Sequence, residues 1–203
     1  MMNKGQLIVF SGPSGVGKGT VLKEFLEGRE NVALSVSATT RQPRPGEENG
    51  VHYYFLTKEE FLKKVEEGNM LEYAQYNSNY YGTPKDKVDE ALAQGRDIVL
   101  EIEVQGALLV KEKCPNALLV FVAPPSWQEL RDRLTGRGTE DAATIENRLN
   151  IAKQELTQAV HYDYILVNDT VEAAAQRLEH IIEAGRCRTI EMNDLIREVE
   201  EHA

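Results

Sequence analysis

The sequence predicts an α/β fold, a five-stranded parallel sheet flanked by helices. Three observations predict it. Short apolar runs alternate along the chain with helical patterns. The runs are continuous in Val, Ile and Leu, as strands covered on both faces are. A glycine-rich loop follows the first run and opens the first helix, which is the setting a phosphate-binding loop needs.

Leu7–Phe10 reads as the first buried strand, followed by the glycine-rich turn and a helix from about Gly19 to Glu27. Val32–Val36 is the second strand. Ile98–Ile102, Ala117–Val122 and Tyr164–Val167 follow. Helical stretches separate them, as right-handed crossovers require. Thr57-Lys-Glu-Glu60 and Ser126-Trp-Gln-Glu129 are capping boxes. Thr83-Pro84 offers a hydroxyl at N-cap and proline at N1. Later helices are expected over 139–160, 170–184 and 189–201. Two regions break the rhythm. Residues 37–83 carry turns, tyrosines and the short strands Tyr53–Leu56 and Met70–Tyr76, and read as an inserted subdomain. Residues 126–158 form an arginine-bearing helical hairpin around Gly136-Arg-Gly138, read as a lid. The core is then 1–36, 84–125 and 159–203.

The 203 residues suit one domain with insertions. Lysine plus arginine is 23 and aspartate plus glutamate 33, a net charge of −10. That balance argues against general nucleic-acid affinity and against docking on anionic membranes. Leu118–Ala123 is far too short to cross a membrane, and the first residues lack the pattern of a signal peptide. Cys114 and Cys187, at no metal-like spacing, read as reduced thiols in a cytoplasmic protein. No obligate protein partner is implied. His52, His161, His180 and His202 show no triad or metal pattern, and Trp127 reads as packing.

The average charge hides a pattern. Acids are missing from 1–23, which carries Lys4, Lys18 and Lys23, and from 31–46, which carries Arg41 and Arg44. A third acid-free tract, 113–128, contains Leu118–Ala123 and reads as a buried strand. The first two are polar, and clearing acids from polar segments makes room for an anion.

The first tract holds Gly12, Pro13, Ser14, Gly15, Val16, Gly17, Lys18, Gly19 and Thr20. Its glycines let backbone N–H groups converge on phosphate oxygens. The helix N-terminus adds positive potential, and Lys18 can reach β- and γ-phosphates. The usual pattern puts Ser or Thr directly after the lysine as a magnesium ligand. Here Gly19 stands there and Thr20 comes one later, so the metal is expected to be held mostly by phosphates and waters. In the second tract, Pro43 and Pro45 push the chain toward polyproline II, whose three-residue turn points Arg41 and Arg44 the same way. Two forked guanidiniums suit a phosphate monoester; a solvated Pro-Arg loop is the plain alternative. In Ile98–Glu103, alternation puts Val99, Glu101 and Glu103 on one face, and an acid ending a buried strand is costly unless used.

Gly12-Pro-Ser-Gly-Val-Gly-Lys18, Thr39-Thr-Arg-Gln-Pro-Arg44, Glu72-Tyr-Ala-Gln75, Asn79-Tyr-Tyr-Gly82 and Glu101-Ile-Glu-Val-Gln-Gly106 together resemble guanylate kinase, in that family's order and spacing, over nearly the whole chain. The resemblance implies the P-loop kinase fold, with a nucleoside-monophosphate-binding subdomain and a lid. It implies in-line transfer of the ATP γ-phosphoryl to GMP, and to dGMP, with Mg²⁺, in purine nucleotide metabolism. By this similarity Arg41, Arg44, Tyr53 and Tyr81 hold the GMP phosphate, and Ser37, Glu72, Thr83 and Glu103 surround the guanine. Glu101 stands where the family has an acid near magnesium, through water, and the family often has aspartate at the two positions filled here by Glu101 and Glu103. A carboxylate such as Glu72 accepts both guanine N1–H and the 2-amino group. Adenine offers a lone pair there, and sites that bond their substrate this way reject the wrong one by roughly 10⁴-fold. The Ser37 and Thr83 hydroxyls are suited to donate to guanine O6.

Arg131-Asp-Arg-Leu-Thr-Gly-Arg-Gly138 and Arg148 resemble the family's lid. Arg137 and Arg148 are the candidates for the transferring phosphoryl, with Arg133 in support and Asn168 at the position that contacts adenine. A GMP phosphate is already anionic, so positioning and charge neutralisation suffice without a general base. Two other readings stay open: a kinase for another nucleoside monophosphate or small molecule, and a non-catalytic interaction module of guanylate-kinase-like fold.

Overall fold

In a computed structural model the chain is an α/β protein, described for residues 5–136 and 142–202. Along the chain run β1 (Leu7–Ser11), α1 (Lys18–Leu26), β2 (Val32–Leu34), β3 (Ala38–Thr39), β4 (Tyr54–Phe55), α2 (Lys58–Glu66), β5 (Met70–Tyr76), β6 (Asn79–Pro84) and α3 (Lys85–Ala93). Then come β7 (Asp97–Glu101), α4 (Val104–Lys113), β8 (Leu118–Ala123), α5 (Trp127–Thr135), α6 (Ala142–Thr157), β9 (Tyr164–Val167), α7 (Val171–Arg186) and α8 (Thr189–Glu201). Five strands form the expected parallel sheet, in the order β2-β7-β1-β8-β9. A four-stranded sheet, β4-β3-β6-β5, is built from residues 38–84.

The chain divides into two compact units. One resumes at Glu30 after Ser11 and runs to Ala117. In it β1 and β2 flank β7 in parallel, with Leu7 opposite Ile98 and Val32 opposite Asp97. Ile8, Val9, Phe10, Val99 and Leu100 are fully buried, which explains their continuous apolar run. The strand starts one residue earlier than expected, at Asp97. This acid is tolerated in the interior because its Oδ1 accepts the Gln6 N–H at 2.8 Å. The strand also ends at Glu101, so the alternation does not extend to Glu103, which instead takes the N-cap position of α4 with extended backbone (φ −72°, ψ 160°). Glu101 is exposed and carries no burial cost. The small sheet has its own apolar cluster, Ala38, Phe61 and Met70, with Tyr54, Leu56, Val65 and Tyr80 against it. α2 starts at a complete capping box: the Thr57 hydroxyl accepts the Glu60 N–H and the Glu60 carboxylate accepts the Thr57 N–H.

The other unit holds Gly12–Arg29 and the chain from Leu118 onward. β8 and β9 pair in parallel, Val120 opposite Tyr164, and α1 packs on α7. α5 and α6 form the expected hairpin around Leu130, Leu134, Leu149 and Ala152, with Ile145 against them. The second capping box is only half formed. Ser126 accepts the Glu129 N–H, but the Glu129 carboxylate turns to Arg133 at 3.1 Å. Trp127, read as packing, is 39% exposed at the start of α5. Among the described residues no helix is long and apolar enough to cross a membrane.

Candidate active site

The loop after β1 is wrapped tightly around itself. Gly12 lies at φ 147°, and a Cβ there would sit 2.3 Å from the Val122 carbonyl oxygen. Gly17 lies at φ 94° in the N-cap position of α1, and a Cβ there would sit 2.6 Å from Asn168 Nδ2. Both positions exclude a side chain on conformation and on space. α1 has no acid in its first turn, so nothing offsets the positive end of its dipole. Lys18 Nζ folds back over the loop, donating to the Gly12 carbonyl at 2.6 Å and the Pro13 carbonyl at 3.2 Å. Thr20 is exposed one turn into the helix.

The hairpin reaches this loop. Arg148 Nη2 donates to Ser14 Oγ at 2.8 Å. Arg133 Nη1 donates to the Val16 carbonyl at 3.1 Å and its Nη2 to the Asn168 carbonyl at 3.0 Å. The Asn168 side-chain amide donates to the same Val16 carbonyl at 2.8 Å. The structure thus gathers Lys18, Arg133, Arg148 and Asn168 around Gly12–Thr20. Arg137 lies outside the described residues.

The second tract is assembled in the other unit. Arg41 is part-buried beside two rings, its guanidinium carbon 5.4 Å from the centre of Tyr53 and 5.8 Å from that of Phe55. Tyr53 and Tyr81 meet edge to face at 6.2 Å. Arg41, Tyr53 and Tyr81 therefore converge, while Arg44 is exposed. The Tyr54 N–H donates to the Ser37 carbonyl at 2.8 Å, which ties Ser37 to the same sheet.

Glu72 is the buried carboxylate of this unit, 8% exposed at the middle of β5. Burial pushes its pKa up, opposed by the Thr83 hydrogen bond, with Glu103 raising and Lys113 lowering it. Thr83 Oγ1 donates to Glu72 Oε1 at 2.6 Å. Two expectations for Thr83 change with this bond. Its hydroxyl does not cap a helix: Thr83 belongs to β6, and Pro84 takes the N-cap position of α3 with no side-chain cap. Its single proton is also already placed on Glu72, so Thr83 orients the carboxylate rather than offering a donor to guanine O6.

Sequence reasoning missed three residues here. Glu47 Oε1 accepts from Arg41 Nη2 at 2.9 Å and Oε2 from the Arg44 N–H at 2.7 Å. The hydrogen bond from Arg41 holds the Glu47 carboxyl below its usual range. Its signal was the place where the acid-free tract stops. Lys113 Nζ donates to the Met70 carbonyl at 3.0 Å. Gly106 leaves room for Glu72: a Cβ there would lie 3.1 Å from Oε2. Lys113 had no local sequence signal, and Gly106, although it ends a quoted motif, gave no sign of its contact with Glu72, because both neighbours lie more than thirty residues away.

Among the described residues no three Asp, Glu, His or Cys side chains gather as a metal cage. Magnesium keeps several waters and takes ligands from substrate phosphates plus one or two carboxylates, so it needs no such cage. The exposed Glu101 at the carboxyl end of β7 is a hard oxygen donor of the right kind, and the residues present fit the ion.

The family model described as guanylate kinase matches residues 4–185. The chain belongs to the guanylate kinase family. Guanylate kinase of Latilactobacillus sakei subsp. sakei (strain 23K) is 53% identical over 189 residues, 93% of each chain. That of Lactococcus lactis subsp. lactis (strain IL1403) is 55% identical over 188 residues, 93% of this chain and 92% of the relative. The crystal structure of guanylate kinase from Anaplasma phagocytophilum superposes with a TM-score of 0.71 at 34% identity, covering 92% of this chain and 89% of that one. A weaker likeness, to the SH3-kinase fragment of tight junction protein 3 (TM-score 0.50, 10% identity), shows the fold alone. All five motifs quoted from the sequence fall inside the span matched to guanylate kinase.

Proposed function

We propose that this chain transfers the γ-phosphoryl group of ATP to GMP, giving ADP and GDP. The observation that carries the reading is the phosphate loop between β1 and α1, with Lys18 folded over it and Arg148 on Ser14, in a chain of this family. We infer that Gly12–Thr20 holds the ATP phosphates, with Arg133, Arg137, Arg148 and Asn168 around them. The GMP phosphate goes to Arg41, Arg44, Tyr53 and Tyr81, and the base to Ser37, Glu72, Thr83 and Glu103. On this reading 37–83 is the acceptor subdomain and 126–158 the lid.

The chemistry asks little of a general base, because the attacking phosphate oxygen is already anionic. Lys18 and the lid arginines neutralise charge that spreads over the transferring phosphoryl, and the loop amides fix its donor in place. Mg²⁺ would be held mostly by the substrate phosphates and waters, with Glu101 and Thr20 as the residues suited to support it, and would offset phosphate charge. Glu72, held by Thr83, takes the two N–H donors of guanine. The setting we propose is cytoplasmic purine nucleotide metabolism, in keeping with two free cysteines, Cys114 and Cys187.

The test is product formation. Incubation with ATP, Mg²⁺ and GMP is expected to give GDP and ADP in equal amounts, and Lys18→Ala to slow the formation of both together. A chain that binds GMP yet forms no GDP would be a binding module instead.

A further inference from the structure

One carbonyl of the phosphate loop is held from two sides. The Val16 oxygen accepts from Asn168 Nδ2 at 2.8 Å and from Arg133 Nη1 at 3.1 Å. Arg133 closes a triangle by donating from Nη2 to the Asn168 carbonyl at 3.0 Å, while its Nε is fixed on Glu129 Oε1 at 3.1 Å. Asn168 is anchored in turn, its N–H on the Ala123 carbonyl at 2.9 Å at the end of β8. It is 4% exposed. Gly17 is fitted to the same contact, since a Cβ there would strike Asn168 Nδ2 at 2.6 Å.

We propose that Asn168 and Arg133 are positioning residues that pre-shape the phosphate loop through the Val16 carbonyl. A trans peptide is planar, so its C=O and the following N–H point in opposite directions. Fixing the Val16 carbonyl on Asn168 and Arg133 therefore fixes the Gly17 N–H away from them, toward the side of the loop where an anion is received. The αL conformation of Gly17 would otherwise leave this peptide free to turn. A loop whose amides are already oriented loses less entropy on binding phosphate. The inference rests on Gly12–Thr20 being the triphosphate site, and it gives Asn168 a role that does not depend on the base of the nucleotide.

The experiment compares Mg-ATP with magnesium tripolyphosphate, which has no base, by calorimetry on the whole chain. Asn168→Ala is expected to weaken both by the same factor, on the order of tenfold, and to raise KM for ATP while leaving KM for GMP unchanged. A loss confined to ATP makes Asn168 a base contact and overturns the proposal, as does no loss. Wild-type protein that binds neither probe overturns the triphosphate site itself, which is a separate failure. Should Asn168→Ala not fold, Arg133→Lys carries the test. It keeps the charge and loses the fork, and is expected to speed hydrogen exchange of the Val16–Lys18 amides in nucleotide-free protein. Unchanged exchange would show that Arg133 acts on phosphate alone and would overturn the proposal.

Discussion

The loop Gly12–Thr20 and the tract Ser37–Glu47 are both read as anion sites, yet they are made differently. The loop uses backbone. Its shape is set by three glycines at positive φ, Gly12, Gly15 and Gly17, the start of α1 and a carbonyl pinned by Asn168 and Arg133. The tract uses side chains. Arg41 stands between aromatic rings and is already paired with the Glu47 carboxylate, which also holds the Arg44 N–H. A backbone site is ready-made and has little selectivity beyond charge. A side-chain site can be tuned, but its cations need a resident anion to hold their geometry. The acceptor side adds a buried carboxylate, Glu72, where binding must repay a desolvation cost and so can discriminate strongly.

Four substitutions bear on that contrast. The largest effect is expected from Lys18→Ala. Turnover should fall by roughly 10³-fold, while GMP affinity, owned by the other region, stays unchanged in equilibrium binding. Next is Glu72→Gln, which should cut the preference for GMP over AMP from roughly 10⁴-fold toward 10²-fold in kcat/KM and leave KM for ATP alone.

The same residue predicts a pH effect. Its pKa is raised in the fold, so the ionised form is disfavoured there and the wild type gains stability as pH falls through the folded pKa toward the unfolded one. Glu72→Gln should therefore raise Tm near pH 7, and that gain should shrink on acidification. Guanine's two donors need the carboxylate, so KM for GMP should rise as pH falls through the raised pKa in wild type and stay flatter in Glu72→Gln.

Glu47→Gln separates positioning from competition. We expect KM for GMP to rise roughly three- to tenfold with kcat little changed, because the forked hold on Arg41 and the Arg44 N–H weakens. A fall in KM would mean that Glu47 competes with the phosphate. The smallest effect is Thr57→Ala, which removes the capping box of α2 and should lower Tm by about 2–4 °C, with selectivity for GMP unaltered.

The contrast also explains what was legible in the sequence. The phosphate loop is written in nine adjacent residues, Gly12–Thr20, and a strand–loop–helix context fixes the rest, so spacing alone located it. The five core strands were equally plain as apolar runs, although only the inner β1, β7 and β8 are buried along nearly their whole length, while the edge strands β2 and β9 leave Leu34 and Ile165 exposed. Asp97 has no apolar signal that marks it as strand, and the backbone N–H that its carboxylate accepts, from Gln6, lies ninety-one positions away. Thr-Pro is a local signal, and it points to Thr83 as a helix cap. Its bond to Glu72, eleven residues back across an antiparallel pair, is not local. Alternation puts Glu103 on a strand face, but alternation says nothing about where a strand stops. Side-chain sites depend on pairings of this kind, and only the family resemblance made Glu72 and Tyr81 visible beforehand.

The central claim is that ATP phosphorylates GMP at a guanine-reading site. Its most direct test is the steady-state rate of ADP formation with GMP, AMP, UMP and CMP as acceptors, for wild type and Glu72→Gln side by side. The expected result is a strong preference for GMP that narrows in the variant. Equal rates with all four acceptors, or a preference for GMP that Glu72→Gln leaves untouched, would contradict it.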